Sequence, residues 1–355
     1  MNIYMVNSGY DGCCYVRILL PAFHNGFLTD KKTRKSERAD YSQIKADLMD
    51  ADVVVFHRPE ERAYHNLAEM LKNDGKKIVM DNDDTFKLDD YHPLADFTYD
   101  GLESKVKERG NAVDDFIKLS DLVTTSTEFL AKEYRQLNDN VVVLPNCVDP
   151  MDWDEPLKNE TGKVRVGIVG SAALAYDYEH IKDILVYLSD REDVELVMFG
   201  LGNMEHRLKN PKVTKAFSPE YNFWDTLNYD HFPWVPNWKY QDTLNEARLD
   251  FCIIPRKDNY FNRCKSNIKV LEMAMLEIPC IAQSFPDGPY EEFKHGDNIL
   301  KVKENKDWLM AIEEMINCRA LRESMGKSIK EYVIDKYNIE NNAHLWAKTY
   351  EKIKN

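Results

Sequence analysis

Apolar residues follow two alternating patterns along this chain. Short apolar runs, such as residues 51–56 (ADVVVF), read as strands buried on both faces, and 164–169 (VRVGIV) reads as another strand. Between them lie longer stretches with the spacing of amphipathic helices. In the first half the pattern predicts strands at 2–7, 51–56, 77–80, 122–124 and 141–144, with helices at 15–23, 60–73, 106–119 and 126–137. An aperiodic stretch rich in Pro, Asp and Glu, 149–162, then breaks the alternation, and 151–162 reads as a linker. The pattern restarts with strands at 164–169, 194–199, 250–254 and 279–282, and with helices at 180–188, at 239–248 and from near Ser266. Helical segments at 308–316, 321–337 and 339–353 close the chain. Strands alternating with helices imply right-handed crossovers and a parallel sheet. The expected fold class is α/β: two doubly wound, Rossmann-like domains, 1–150 and 163–336, facing a cleft.

Ligands of such sheets bind beyond the carboxyl ends of the strands. The residues placed there are the loop from Gly9 to Gly12, then His57 and Arg58, then Asp81, Asn82, Asp83 and Asp84, then Asn146. In the second half they are Gly170 and Ser171, the turn 200–202 beginning at Gly200, and Pro255, Arg256 and Lys257. The helix from Ser266 should carry Lys265, Lys269 and Glu272 on one face, one turn apart, with Ile268, Val270, Leu271, Met273, Ala274, Met275 and Leu276 covering the others. A charged stripe on a buried helix needs partners. Either Lys269 snorkels and Glu272 pairs with one of the lysines, or the stripe meets a bound anion that carries hydroxyls. A nucleotide diphosphate fits the second demand: phosphates at the lysines and the helix N-terminus, a ribose at the glutamate.

Composition narrows the class. The chain has 355 residues, enough for two domains, and its 43% hydrophobic and 11% aromatic content supports packed cores. No apolar run approaches the roughly 18–20 residues of a membrane span. The start of the chain runs straight into a strand with no basic, cleavable leader, so the expected location is cytoplasmic. The 7 cysteines and 9 histidines show no zinc spacing, and no metal site is expected. With 61 acidic against 47 basic residues the net charge is −14, which argues against a general binder of nucleic acid or anionic membrane. One basic cluster, Lys31, Lys32, Arg34, Lys35 and Arg38, is either a solvated loop or a local DNA patch. The aromatic stretch 221–240 is either the packing of a long loop or a stacking surface.

These features together resemble a nucleotide-sugar glycosyltransferase of the GT-B fold, close to family 4 and especially its bacteriophage-type members. In the second half the resemblance rests on GIVGS (167–171) followed by Asp177, on Lys265 and Ser266 with Lys269 and Glu272, on PCIA (279–282) and on GDN (296–298). In the first half it rests on Tyr15, Val16 and Arg17 after the glycine loop, on Arg58, on VMDNDD (79–84), on SDLVTTST (120–127) and on LPNCVD (144–149). The last helix, with Tyr337, Trp346 and Tyr350, resembles the family's closing helix, so 337–355 is expected to cross back onto the first domain. In that family a pair of glutamates stands in this region. Glu272 matches the second, which binds the donor ribose, whereas the first falls on Cys264. That departure leaves the donor sugar and the stereochemical course open.

The resemblance implies transfer of a sugar from a nucleotide-diphosphate donor to an acceptor hydroxyl, retaining and without a metal or other cofactor. The leaving diphosphate would be met by Lys265 and Lys269, with Arg256 and Arg263 in reserve and Gly170, Ser171, Asp177, Gly200 and Ser266 around the donor. Asp81, Asp83 and Asp84 would orient or deprotonate the acceptor, or serve only as turn and cap residues. Gly9, Gly12, Tyr15, Arg17, His57 and Arg58 line the acceptor side in this reading; pairing and packing are the plain alternatives for Arg17, Arg58 and His57. The acceptor is either a glycan or small molecule, or a hydroxymethylated base in phage DNA. The rival classes are a GT-B epimerase or phosphorylase, and a nucleotide-sugar-binding protein without catalysis.

Overall fold

The computed structural model describes residues 1–7, 9, 11–29, 41–85, 102–170, 172–200 and 222–353, without the side chains of 41–45, 102–107, 109 and 172–176. It contains two six-stranded sheets, parallel throughout. The first holds β1 (Ile3–Val6), β2 (Leu28–Thr29), β3 (Val53–His57), β4 (Lys77–Asn82), β5 (Leu122–Thr125) and β6 (Val141–Val143), in the order β2-β1-β3-β4-β5-β6. The second holds β7 (Val164–Val169), β8 (Val194–Phe199), β9 (Asp230–Phe232), β10 (Phe251–Ile254), β11 (Cys280–Gln283) and β12 (Leu300–Val302), in the order β12-β11-β10-β7-β8-β9. This is the expected fold class, two doubly wound parallel-sheet units.

Alternation along each strand decides which helices it holds. On one face of the first sheet Val54, Phe56, Ile78, Met80 and Val123 pack on Phe116, Leu130 and Tyr134. On the other face Val53, Val55, Val79 and Leu122 meet Ile18 and, from the end of the chain, Ile339, Trp346 and Tyr350. The closing helices Ile339–Asn342 and His344–Glu351 therefore complete the core of the first sheet. In the second sheet Val169, Val197, Cys252 and Ala282 bury the helix Ile268–Met275, and the opposite face buries Leu185, Trp308 and Ile312. No described helix is long and apolar enough to cross a membrane.

The structure departs from the sequence reading in several places. It adds β2, β9 and β12 and the helices Tyr41–Asp50 and Tyr260–Cys264. β9 lies inside the aromatic stretch and pairs with β8, so residues 230–232 form the sheet edge while Trp224, Phe223 and Tyr229 pack on the core. The largest change is at the helix read from Ser266. A short helix, Tyr260–Cys264, starts where the Asn259 side chain accepts from the Asn262 N–H, and it ends at Lys265, whose backbone is extended (φ −67°, ψ 152°). A new helix, Ile268–Met275, then begins.

Candidate active site between the two sheets

A cavity of about 450 Å³ opens between the carboxyl ends of the two sheets. The first unit lines it with Asp11, Gly12, Cys13, Val16 and Arg17 after β1, Asp83 after β4 and Asn146 after β6. The second contributes Gly170 after β7, Phe199 and Gly200 at the end of β8, Trp234 and Val235 after β9, and Ile268, Lys269 and Glu272. The two glycines are close-packed: Gly200 has φ +82°, and a Cβ there would stand 2.7 Å from the Gly170 carbonyl oxygen. Backbone thus forms the floor where a planar group can approach.

On the second wall three side chains share one acceptor atom. Lys269 Nζ donates to Glu272 Oε2 at 2.7 Å, and the Tyr240 hydroxyl donates to the same oxygen at 2.8 Å. Lys269 also lies 3.0 Å from that hydroxyl and over the Tyr240 ring. Burial alone would lower the Lys269 pKa; the Glu272 carboxylate and Tyr240 reverse this and hold it above its ordinary value, so the ammonium persists. Burial, then Glu272, pushes the Tyr240 hydroxyl up, so it stays a donor. Glu272 Oε1 takes no hydrogen bond from the described residues. One carboxylate oxygen is therefore anchored, and the other is available in a cavity-lining residue. Phe199 stacks with Phe232 and meets the Tyr240 ring edge-on, which fixes the apolar side of this wall.

The first wall separates the aspartates by role. Asp81 is fully buried and held by Arg17 through Nε at 3.0 Å and Nη2 at 2.6 Å, with the Thr124 hydroxyl at 2.7 Å. Arg17, set in a π-helical turn (Tyr15–Leu19), also donates to the Leu144 carbonyl at 2.5 Å and to Asn146 Oδ1 at 3.1 Å. This pair braces β4, β6 and the first helix, and Asp81 does not line the cavity. Asp83 does. Arg58 donates to it at 2.7 Å, and His57 Nε2 lies 3.8 Å away. Burial would raise the Asp83 pKa, but Arg58 and then His57 bring the carboxyl well below its ordinary range. Arg58 reaches this position from a left-handed backbone (φ 45°), a strained conformation for a non-glycine residue. Beside Asp83, burial and then the aspartate's charge push the Cys13 thiol well up, so it is a neutral lining group.

Several contacts join the two units beside the cavity. Lys265 Nζ donates to Asp84 Oδ2 at 2.5 Å, Asn146 Nδ2 donates to Ser266 Oγ at 2.8 Å, and the Thr127 hydroxyl meets the Cys264 carbonyl at 3.3 Å. Arg58 Nη2 also reaches Asp84, at 3.5 Å. Lys265 is therefore not on one face with Lys269 and Glu272. It sits in the extended break between two helices, and its amine turns to the first wall because the Asp84 carboxylate is there. Cys264 is fully buried in the core of the first sheet, and burial pushes its thiol up.

The remaining predicted residues divide. Gly12 lines the cavity; Gly9 is half-buried in the preceding loop, and Tyr15 donates to Asp152 in the connection between the units. Asp177 and Arg256 are buried together, with Asn262 and the Lys257 N–H completing the cluster, and none of the four lines the cavity. Arg263 pairs with Asp258 outside the cavity lining. Ser171, the rest of the turn after Gly200, and the basic cluster Lys31, Lys32, Arg34, Lys35 and Arg38 lie outside the described residues. Sequence reasoning did not single out Cys13, Phe199 or Asn237. Phe199 carries the only signal among them, as the last apolar residue before a glycine at a strand end. Among the described residues no group of His, Cys, Asp and Glu is arranged to hold a metal ion.

No protein-family model matches this chain, and no curated protein matches its sequence. Solved structures do match it in fold. Sucrose-phosphate synthase from Thermosynechococcus elongatus superposes with a TM-score of 0.68 at 12% identity over 99% of each chain. Anabaena HepE in complex with UDP and glucose gives 0.66 at 12%, again over 99% of each chain. An α-glucosyltransferase in complex with UDP gives 0.63 at 13% over 99% of both. At such identities the likeness is one of fold: two Rossmann-like units in the GT-B arrangement.

Proposed function

We propose that this chain is a glycosyltransferase that moves a sugar from a nucleotide-diphosphate donor to an acceptor hydroxyl. The observation that carries the reading is Glu272: one oxygen is locked by Lys269 and Tyr240 while the other is available in the cleft. That is an acceptor built for vicinal hydroxyls next to a permanent cation, as a ribose diphosphate requires. The base is assigned to the Phe199–Gly200 edge with Trp234 and Val235. The diphosphate is assigned to Lys269 and to the first turn of the helix Ile268–Met275, where Asn267 makes no side-chain cap and leaves N–H groups open. Structures of the same fold that hold UDP, or UDP and glucose, support this choice of ligand.

In this reading the bond from the anomeric carbon to the β-phosphate oxygen breaks, and charge gathers on that oxygen. Lys269, the helix N–H groups and Lys265 once released from Asp84 meet it, a role that needs no metal. Asp83 is too weak a base, with its lowered pKa, to take the acceptor proton efficiently at neutral pH. It serves instead as a hydrogen-bond acceptor that aims the hydroxyl. The proton goes to the departing phosphate oxygen, so acceptor and leaving group share one face and the anomeric configuration is kept. The test is a donor screen with mass readout against simple glycans and hydroxymethylated DNA, with and without EDTA, and with NMR of the product anomer. A soluble product of retained configuration formed in EDTA is expected. No donor binding and no turnover with any nucleotide sugar would overturn the reading.

A further inference from the structure

A second cavity, of about 400 Å³, is lined by Tyr15, Leu19, Asp152, Asn237, Trp238, Gln241 and Asp242. Its walls come from three places: the π-helical turn after β1, the connection between the two units, and the segment entering the helix Tyr240–Glu246. Asn237 lines both cavities, so the two spaces adjoin at one side chain. Trp238 is 65% exposed although it sits in a short 3-10 turn directly after Pro236, which holds the segment in place. An indole on the rim of a cavity offers an apolar face beside a polar N–H. The polar groups around it are the Asp152 and Asp242 carboxylates and the Gln241 and Asn237 amides. Tyr15 donates to Asp152, which orients that carboxylate toward a fixed position.

We propose that this second cavity is the acceptor subsite and that it binds a neutral saccharide. The inference rests on the glycosyltransferase reading above and names its acceptor class. A pyranose ring presents an apolar C–H face and a rim of hydroxyls, and the cavity offers the complement: an aromatic face, two carboxylates that accept from hydroxyls, and two amides that donate and accept. The size suits a small ligand. No Lys or Arg lines it among the described residues. A nucleic-acid strand brings one phosphate charge per nucleotide and needs cations at its site, so this rim disfavours DNA.

The experiment compares wild type with Trp238→Ala and Asp242→Asn, both at exposed positions outside the donor-binding residues. Saturation-transfer NMR is recorded with a panel of methyl α- and β-glycosides of glucose, galactose, mannose and N-acetylglucosamine, and UDP affinity is measured in parallel by calorimetry. The expected result is transfer from protein aromatic protons to at least one glycoside in wild type. Affinity for that glycoside should fall about tenfold in Trp238→Ala with UDP affinity unchanged. In turnover assays the same variants should raise the acceptor KM and leave the donor KM in place. Glycoside binding that survives Trp238→Ala, or a wild type that binds UDP but none of the glycosides and glucosylates only hydroxymethylated DNA, overturns the subsite. Absence of UDP binding in wild type would instead overturn the donor reading, so the two failures are distinguishable.

Discussion

Replacing Glu272 by Ala tests the donor site most directly. The carboxylate accepts from Lys269 and Tyr240 through Oε2, and in the donor reading Oε1 accepts from the ribose. A hydrogen bond to a charged group contributes about 1.5–3 kcal/mol, so removing the ribose contact should weaken nucleotide binding about 10- to 150-fold. A second effect must be separated from this one. The Lys269 and Glu272 side chains are 16% and 18% exposed, so the ion pair is neither free in water nor fully dry. Losing one partner should cost about 1–3 kcal/mol of stability, between the values for exposed and buried pairs.

Two controls do this. Uridine carries the ribose without phosphates, so Glu272→Ala should weaken uridine and UDP by similar factors, whereas Lys269→Ala should weaken UDP far more than uridine. Glu272→Gln keeps an acceptor oxygen but loses the charge that holds Lys269, and should fall between wild type and Glu272→Ala in affinity. Calorimetry at neutral pH gives the affinities, and thermal melts of the same samples show whether each variant is folded. A folded Glu272→Ala protein that binds UDP and uridine as tightly as wild type would refute the ribose assignment and with it the placement of the donor.

Asp81→Asn should destabilise the protein by about 3–5 kcal/mol in urea unfolding, because it leaves Arg17 charged and unpaired in a fully buried site; unchanged stability with lost turnover would make Asp81 catalytic instead. The Asp83 carboxyl is depressed in the folded state, so its contribution to stability is present above its ordinary pKa of 3.8 and is lost as pH falls through the folded value; Asp83→Asn should therefore lose stability at pH 7 and converge with wild type in strong acid. For the same reason no acid limb in the activity profile between about pH 5 and 8 should trace to Asp83, and a limb that vanishes in Asp83→Asn would contradict its role as a pre-ionised acceptor. Charge reversal at Lys32, Arg34 and Lys35 should leave glycoside transfer untouched; a salt-dependent loss of DNA binding would instead give that cluster a nucleic-acid role.

Much of the architecture was legible because its strands are continuous apolar runs, and such runs can only be buried on both faces. Val53–His57, Lys77–Asn82 and Val164–Val169 are legible in this way, and the residues just past them are Arg58, Asp83 and Gly170, which form or support the cleft. The elements that were missed are those whose register is set from outside. β9 holds Asp230, His231 and Phe232, a half-polar triplet that becomes a strand only because β8 offers it an edge. β12 is three residues long and is likewise held by its neighbour β11.

The misplacement of Lys265 has the same origin and matters more, because it bears on the chemistry. An apolar period running through Ile268 and Leu271 invites a single helix, and Lys265 then falls in line with Lys269. Ser266 and Asn267 inside that run are residues that favour caps, but they do not say whether the chain breaks there. The break is held by the other half of the protein: Asn146, 120 residues earlier, binds Ser266, and Asp84, 181 residues earlier, binds Lys265. Cys264 is at the same time drawn into the core of the first sheet. The two lysines therefore differ in kind. Lys269 stays neutralised by a neighbour on its own helix, whereas Lys265 is neutralised across the cleft by an aspartate of the first unit. In the donor reading, a diphosphate that draws Lys265 away from Asp84 leaves that carboxylate to Arg58 and the Thr85 N–H, so filling one wall changes the charge presented on the other.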